Sequence, residues 1–431
     1  MQDMSHPFES PPMLSADDIR DPEVQKQRLW NQDPRLLEAA NTLANKIRSL
    51  PRDPVCPDVE PRALLVGGFV RDALLGLHPK DLDVEVYGVS PVRLEELLEQ
   101  LYPGKVDLVG RAFGIIKVHL DKDVEFDVSI PRRESKTGLG HTDFEVQGDP
   151  SMDMEEAARR RDFTVNALAA DPMTGEVIDA FDGVSDLQNR VLRVTDRERF
   201  QDDALRVYRA VQFAGRFNFT IDPESFRLMR EMGEDGMLDR LSRERITEEI
   251  KKLMLKSPKP SVGFELLREL GIIERDYPEL HALIGMPQES EWHPEGDVWI
   301  HTMMVVDQAA KIVRQTFKNP NDRLSVLMGA LCHDLGKPAT TKLGEKDGIQ
   351  RIRSLGHEEA GLAPAGRLLD RWMFGEDIKR ACFAITEQHL KPNVWWREVQ
   401  KGKLTAASYA NAIRKLIKKI HPVPWQILLV A

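Results

Sequence analysis

The segment from Leu64 to Gly88, LLVGGFVRDALLGLHPKDLDVEVYG, constrains this chain more than any other. Its pattern predicts strand, double-glycine turn, short helix, turn and strand. Asp81 and Asp83 are two residues apart, so on a strand both carboxylates leave one face. Apolar Leu82, Val84 and Val86 take the other face. An isolated pair of alternate aspartates would ordinarily be a solvated strand edge. The apolar opposite face and Gly67-Gly68 upstream argue against that here. Two carboxylates side by side repel unless a cation lies between them. A pair of Mg²⁺ ions would meet that need and build a phosphoryl-transfer site. The glycine turn offers bare backbone N–H groups as a phosphate cradle. Cradle and metal pair together point to a nucleoside triphosphate. Glu85 shares the aspartate face, and VEFDVSI presents Glu125 and Asp127 on one face. Any of these three could complete the metal set.

Two further segments carry chemistry. RRRDFTVNAL begins at Arg159, and its three arginines suit a triphosphate because guanidinium grips phosphate bidentately. Asp162 and Asn166 are four apart, so a helical turn would bring them together, to bond a ribose or to fix the arginines. DDALRVYRAVQFAGRFNF begins at Asp202. Asp203 and Arg206 would neighbour each other on a helix, and Arg209 continues that face. An intrahelical salt bridge is the ordinary explanation. The sharper one is that Asp and Arg together present acceptors and donors like a base edge.

At 431 residues the chain is long enough for about two to four domains. It is 41% apolar and 30% charged, the make-up of an ordinary soluble protein. No apolar run approaches the ~20 residues of a membrane span, and the acidic N-terminus lacks the apolar core of a signal peptide. Three scattered cysteines argue for a reducing cytoplasm. A net charge of -10 excludes a wholly basic surface but not a local basic groove.

The expected organisation is α+β. Residues 1 to about 35 lack periodicity and read as a mobile extension; Leu36–Leu50 reads as a helix and Pro51–Pro61 as a linker. Strands are expected at Ala63–Val66, Leu82–Tyr87, Ile115–His119, Glu125–Ile130 and Glu176–Asp179. Beyond Asp202 the pattern is helical almost throughout. Expected helices are Asp203–Ala214, Pro223–Met232, Ser242–Leu255, Ser261–Leu270 and His301–Val313, with a loop over Gly285–Gly296. The domains are therefore placed at 1–60 (extension and linker), 61–195 (head with a small mixed sheet), 196–284 (helical neck and body) and 285–431 (a second helical domain).

The motifs VGGFVRDALLG, KDLDVEVYG, RRESKTGLGHTDF, RRRDFTVNALAAD, DDALRVYRAVQFAGRF and RERITEEIKKLML resemble those of class II tRNA nucleotidyltransferases, the CCA-adding enzymes. These share a polymerase-β-like head with bacterial poly(A) polymerases. The resemblance runs from about Leu64 to His389. It implies that Gly67, Gly68, Arg71 and Asp72 form the triphosphate-binding turn. Asp81 and Asp83 would hold the metals that activate the tRNA 3′ hydroxyl. Arg160, Arg161, Asp162 and Asn166 would form the ribose and phosphate motif. Asp203 and Arg206 would select CTP and then ATP, braced by the helix of Arg245 and Glu248. The segment Arg133–Phe144, with Glu134, Lys136, Gly138 and Gly140, is similar to the flexible loop needed to switch from C to A. The chain departs from the family pattern at Asp202, where Glu is usual, at Tyr208 (usually Leu) and at Gln212 (usually Arg). Implied partners are tRNA, CTP and ATP. A CC-only enzyme or a poly(A) polymerase would share the same head.

The last third is richer in histidine. His301, His333, His357 and His389 stand at suggestive places, and ALCHDLGKP sets His333 beside Asp334. Helices carrying His301, His333, Asp334 and His357 could converge on one metal, as imidazole and carboxylate suit Mg, Mn, Ni or Zn. This resembles the HD superfamily of metal-dependent phosphohydrolases, and WHPEGDVWIHTMMV matches the bacterial two-domain type. Implied side activities are phosphatase and cyclic phosphodiesterase, with Ni²⁺, Mn²⁺ or Mg²⁺; HD hydrolysis as the chief activity is the reading from another class. The HD pattern needs a last Asp on a later helix, and none follows His389. The closing run WQILLVA has no helix cap, so a chain cut inside a helix and a weakened or absent hydrolase are expected.

Overall fold

A computed structural model describes residues 19–79, 81–108, 115–136, 144–346 and 348–430. They form two compact units, one of residues 19–203 with 220–228, the other of 204–219 with 229–430. Among the described residues no helix is long and apolar enough to cross a membrane.

The first unit is built on a seven-stranded mixed sheet. Its strands are β1 (Arg62–Val66), β2 (Leu82–Tyr87), β3 (Val106–Asp107), β4 (Ile115–Asp121), β5 (Val124–Ser129), β8 (Ala169–Ala170) and β9 (Val177–Ile178). The order is β3-β4-β5-β2-β1-β8-β9. Only β2 and β5 run parallel; the other neighbours are antiparallel. Leu82, Val84 and Val86 on β2 are fully buried, as are Phe126 and Val128 on β5. The alternate residues Asp83, Glu85 and Asp127 are only partly buried. Their face continues into a core cluster of Leu64, Val66, Tyr87, Met152, Ala157 and Ala169.

Residues 22–35 differ from the mobile stretch expected, while the helix expected over Leu36–Leu50 is present and begins at Pro34. Helices Pro22–Trp30 and Pro34–Arg48 each start with an aspartate cap followed by proline, Asp21-Pro22 and Asp33-Pro34. The first packs on the helix Gly68–Leu74, where Arg28 Nη1 donates to Leu74 O (2.5 Å) and Leu29 is buried. The second covers β1 and β5. A second surprise is an antiparallel pair, β6 (Arg132–Lys136) with β7 (Phe144–Gly148). It holds the two ends of the segment expected to be a flexible loop. Gly138 and Gly140 lie outside the described residues.

In the second unit the helix Leu205–Phe217 packs on Arg243–Lys256 and Pro260–Glu269, and Val298–Thr316, Pro320–Cys332 and Glu376–Gln388 pack in succession. Ser242 and Asp297 cap two of these helices through their side chains. One departure from the all-helical expectation is a hairpin of Thr341–Lys346 with Ile349–Ser354.

The helix Pro34–Arg48 is tied to the head's sheet through Asp171, which is buried. Its carboxylate accepts from Arg48 Nη2 at 2.5 Å, Arg62 Nη2 at 3.3 Å and Met173 N at 2.9 Å. Burial raises this carboxyl, but the Met173 N–H and the two arginines outweigh it and hold it below its usual range. A depressed folded pKa gives stability that is complete above the unfolded value of about 3.9 and is lost as pH falls below it. Asp171→Ala is expected to cost about 2 kcal/mol in urea unfolding, the arginines being partly solvated. The gap from wild type should narrow below about pH 4; a constant gap down to pH 2 would refute the assignment.

Candidate functional site

The head's polar face gathers most of the residues singled out in the sequence. Asp81 is exposed just before β2, and Asp83 follows on the strand. The parallel register sets Asp83 directly opposite Asp127. Burial pushes the Asp83 carboxyl up; Arg161 opposes this, and Asp127, Asp81 and Glu85 add to the rise. The negative charge gathered around Asp83 and its burial together exceed what the Arg161 guanidinium offsets. Of the three candidates for a third carboxylate, Asp127 is the one beside Asp83. Glu125 is exposed and engaged by Lys117 Nζ at 2.8 Å and His119 Nδ1 at 3.1 Å. Glu85 accepts from Tyr87 Oη at 2.5 Å, with Arg161 Nη2 at 3.5 Å. Lys117 Nζ also lies 2.9 Å from Asp127 Oδ1. Those carboxylates hold the lysine's pKa up at about 12, Glu125 most and Asp127 next, against its burial.

The glycine turn works differently from expectation. Gly67 N–H is not bare: it donates to Leu168 O at 3.1 Å. What Gly67 provides is space and a left-handed bend. Its φ is +66°, and a Cβ there would lie 2.6 Å from Arg161 Nη1. Arg161 therefore rests against the turn, next to the carboxylates. Gly68 opens the helix Gly68–Leu74 that carries Arg71 and Asp72, both buried. Arg71 Nε donates to Asp72 Oδ1 (2.7 Å) and Arg71 Nη1 to Asn166 Oδ1, while Asn166 Nδ2 donates to Asp162 Oδ1 (2.8 Å). Asp162 and Asn166 do meet, but through a turn and the short 3₁₀ segment Thr164–Asn166 rather than an α-helix. Arg160 caps the helix Met154–Arg159.

The expected base-reading pair falls on two elements. The helix begins at Leu205, so Asp203 stands just before it, while Arg206 and Arg209 occupy its partly exposed side. Tyr208 and Gln212 are buried on its inner side, and Tyr208 Oη bonds Tyr277 Oη at 3.0 Å. The two helix departures from the family pattern therefore concern packing. Arg133 pairs with Asp149 at the start of β6.

In the second unit His301, His333, Asp334 and His357 do come together, and His389 joins them. Two triads share one aspartate: His301, His333 and Asp334, then Asp334, His357 and His389. Asp334 Oδ2 lies 3.1 Å from His333 Nε2 and 3.7 Å from His301 Nε2, while Oδ1 lies 3.3 Å from His357 Nε2. The Nδ1 atoms of His333, His357 and His389 donate to the carbonyls of Ala330, Ser354 and Thr386 at 2.7, 2.7 and 3.0 Å. While a ring is neutral its Nε2 is then a lone-pair atom; a protonated His333 instead donates Nε2–H to Asp334. His357 Nε2 is buried, faces a carboxylate oxygen and has no hydrogen bond. Two acceptors facing each other suit a metal ion between them. Burial would raise Asp334, but His333 and Lys337, whose Nζ is 2.8 Å away, hold it well below the usual range. Burial, with His333 adding to it, drives His389 down to about 4, so its ring is neutral at pH 7. The turn after Asp334 needs glycine, because a Cβ on Gly336 would lie 2.0 Å from His357 O.

The expected ligand set omitted His389, although the histidine spacing had flagged it. It also missed Lys337, whose Nζ donates to Gln288 Oε1 at 2.5 Å, and the pair His293 and Glu295 beside His301. Lys117 gave no sequence signal, because its partners come from the adjacent strand.

Family models match three stretches: the Poly A polymerase head domain over residues 63–193, the "Probable RNA and SrmB- binding site of polymerase A" over 218–284, and the HD domain over 298–413. The chain is 39% identical over 329 residues to the multifunctional CCA protein of Xanthomonas campestris pv. campestris (strain B100), covering 76% of this chain and 74% of that one. It is 38% identical over 328 residues to the multifunctional CCA protein of Actinobacillus pleuropneumoniae serotype 5b (strain L20), covering 75% and 74%. Among solved structures, an apo form of a CCA-adding enzyme matches with a TM-score of 0.60 at 20% identity, over 94% of this chain and 81% of that one. The Thermotoga maritima CCA-adding enzyme complexed with tRNA matches at 0.57 and 20%, over 94% and 80%. At such identity these two likenesses speak for the fold.

Asn166→Ala would remove one partner each from buried Arg71 and Asp162. It is expected to cost about 1–3 kcal/mol, read as a lower thermal unfolding midpoint of the head. An unchanged midpoint would mean that the network is not holding the turn.

Proposed function

The chain belongs to the family of multifunctional CCA proteins, and we propose that it adds CCA to the 3′ end of tRNA from CTP and ATP without a nucleic-acid template. The observation that carries this reading is the carboxylate face of Asp81, Asp83 and Asp127 beside Arg161 and the Gly67 turn. The three carboxylates, all oxygen donors short of cations, suit a pair of Mg²⁺ ions. When bound, the ions supply a lowered pKa at the tRNA 3′ hydroxyl and charge neutralisation at the phosphates. Asp81, Asp83 and Asp127 would hold the ions beside that hydroxyl; as the new P–O bond to the α-phosphorus forms, the bond to pyrophosphate breaks and the hydroxyl proton passes to solvent. Arg161, with Arg160, holds the triphosphate and the departing pyrophosphate. Arg71, Asp72, Asp162 and Asn166 act behind them, fixing the turn on which Gly67 and Gly68 lie. Asp203 and Arg206, with Arg209 on the same side, select the base. We assign the switch from C to A to the segment of Arg133, Glu134, Lys136, Gly138 and Gly140, the last two outside the described residues.

We place the head at 61–195, with the helices of residues 22–48 as its outer layer, the neck at 196–284 and the HD domain at 285–431. The tRNA substrate and three free, buried cysteines suit the cytoplasm.

The histidine cluster favours a second, accompanying reaction, metal-dependent hydrolysis of phosphate esters. Its donors suit Ni²⁺ or Mn²⁺ more closely than the head's do, with Mg²⁺ also accommodated. Bound ions there supply an activated water. His301, His333, Asp334, His357 and His389 hold them, and Lys337 keeps Asp334 ionised.

Incubation of tRNA lacking CCA tests the main reading. CTP alone should add two residues, ATP alone none, and both together the full triplet. Long A tails with ATP alone would make the chain a poly(A) polymerase, and a stop at CC with both nucleotides a CC-only enzyme. Asp83→Ala should lower incorporation about a thousandfold, equivalent to about 4 kcal/mol in the barrier, and spare phosphoester hydrolysis. Persistent incorporation in that variant would show that the head site lies elsewhere.

A further inference from the structure

The four histidines of the metal cluster are oriented by one device with one exception. His333, His357 and His389 each donate Nδ1–H to the carbonyl three residues back in the chain. These acceptors are neutral and belong to the local backbone. His301 instead donates Nδ1–H to a carboxylate, Glu295 Oε1, at 2.6 Å. The same oxygen accepts from His293 Nδ1 at 3.0 Å, and the rings of His293 and His301 meet edge to face at 4.7 Å.

Glu295 is well placed to hold this geometry. The loop before the helix Val298–Thr316 is fastened at both ends. Gly285 N donates to Asp297 Oδ2 at 2.7 Å, Val298 N to Met286 O at 3.0 Å and His293 N to Glu289 O at 2.9 Å. Glu295 Oε1 thus receives two imidazole N–H groups, a geometry that calls for the carboxylate form as acceptor.

We propose that Glu295 is the positioning residue for His301: its carboxylate keeps the proton on Nδ1, turns Nε2 towards His333 and Asp334, and strengthens the metal position of this triad over the other. The inference rests on the metal reading of the cluster given above. An anionic acceptor on the far nitrogen makes an imidazole a stronger donor to a metal and fixes its ring plane, which a neutral carbonyl does less well. The two triads share Asp334 and otherwise have two histidines each. They differ in this outer contact, so the position at His301 and His333 should bind its ion more tightly. His293 adds a second N–H to the same oxygen and steadies the carboxylate without facing Asp334.

Cobalt titration of the full chain, stripped of metal and carrying Asp81→Ala and Asp83→Ala to silence the head, tests this through the visible absorption of the histidine-bound ion. Two binding steps are expected, and His301→Ala identifies the one that belongs to the first triad. Glu295→Gln should weaken that step about ten- to hundredfold. The other step and the metal-free melting midpoint should stay unchanged, because glutamine keeps the volume and an acceptor. If only one step is seen, the same weakening at an unchanged midpoint supports the inference. Titration of Glu295→Gln like its parent, or equal weakening of both steps, overturns it. So does a third ion lost in His293→Ala, which would make Glu295 a ligand. Absence of any cobalt binding in the parent overturns the metal reading itself, a result distinct from failure of the Glu295 assignment alone.

Discussion

The pairing of β2 with β5 sets the chemistry of the head. In a parallel pair, residues in register point to the same side, so Asp83 must face the same space as Asp127. A slip of β2 by one residue would turn Asp83 inward and expose Leu82, Val84 and Val86. Each of those side chains gains about 1.5–3 kcal/mol from burial. Two carboxylates about 4 Å apart repel by about 4 kcal/mol at the effective dielectric of a protein surface. The apolar face therefore outweighs the repulsion, and the strand register keeps the two charges together. Arg161 relieves part of it, which is why the Gly67 turn must leave room for a guanidinium.

The second unit reaches the same condition by other means. There the lone pairs of four imidazoles converge on one buried aspartate, because each Nδ1 proton is committed elsewhere. Carboxylates in one place and imidazoles in another are not equivalent. All-oxygen donors favour a hard ion such as Mg²⁺, while nitrogen donors favour transition ions. One chain thus carries two groups of candidate metal ligands with different donor atoms.

What the sequence made legible follows from how local each signal is. The aspartate alternation, the apolar strand faces and the amphipathic helices repeat within a few residues, and these elements stand where their periodicity put them. The helix Pro22–Trp30 was readable too, since Asp21-Pro22 is a cap followed by an N1 proline. The surrounding Pro, Asp and Ser hid it. Asp347-Gly348 in the sequence is likewise a hairpin turn signal within a stretch otherwise read as helical. Non-local contacts were out of reach. Nothing near Glu125 or Asp127 announces Lys117, and nothing near Gly67 says that its N–H is taken by Leu168. His389 was visible as a histidine, but its place beside Asp334 depends on how Glu376–Gln388 packs on Pro320–Cys332.

Tyr208 and Gln212 show how an apparent change in a functional motif can belong to packing. Both lie on the inner side of the helix Leu205–Phe217, while Arg206 and Arg209 lie on its partly exposed side. A helix separates these roles because residues one or two positions off a stripe point elsewhere. The Tyr208 hydroxyl would be costly in an apolar contact, and Tyr277 supplies its partner at 3.0 Å. With that bond made, the substitution changes what the helix rests on and leaves its arginine side in place. Asp203, Arg206 and Arg209, the residues of this motif proposed above to select the base, are partly exposed and do not serve the core.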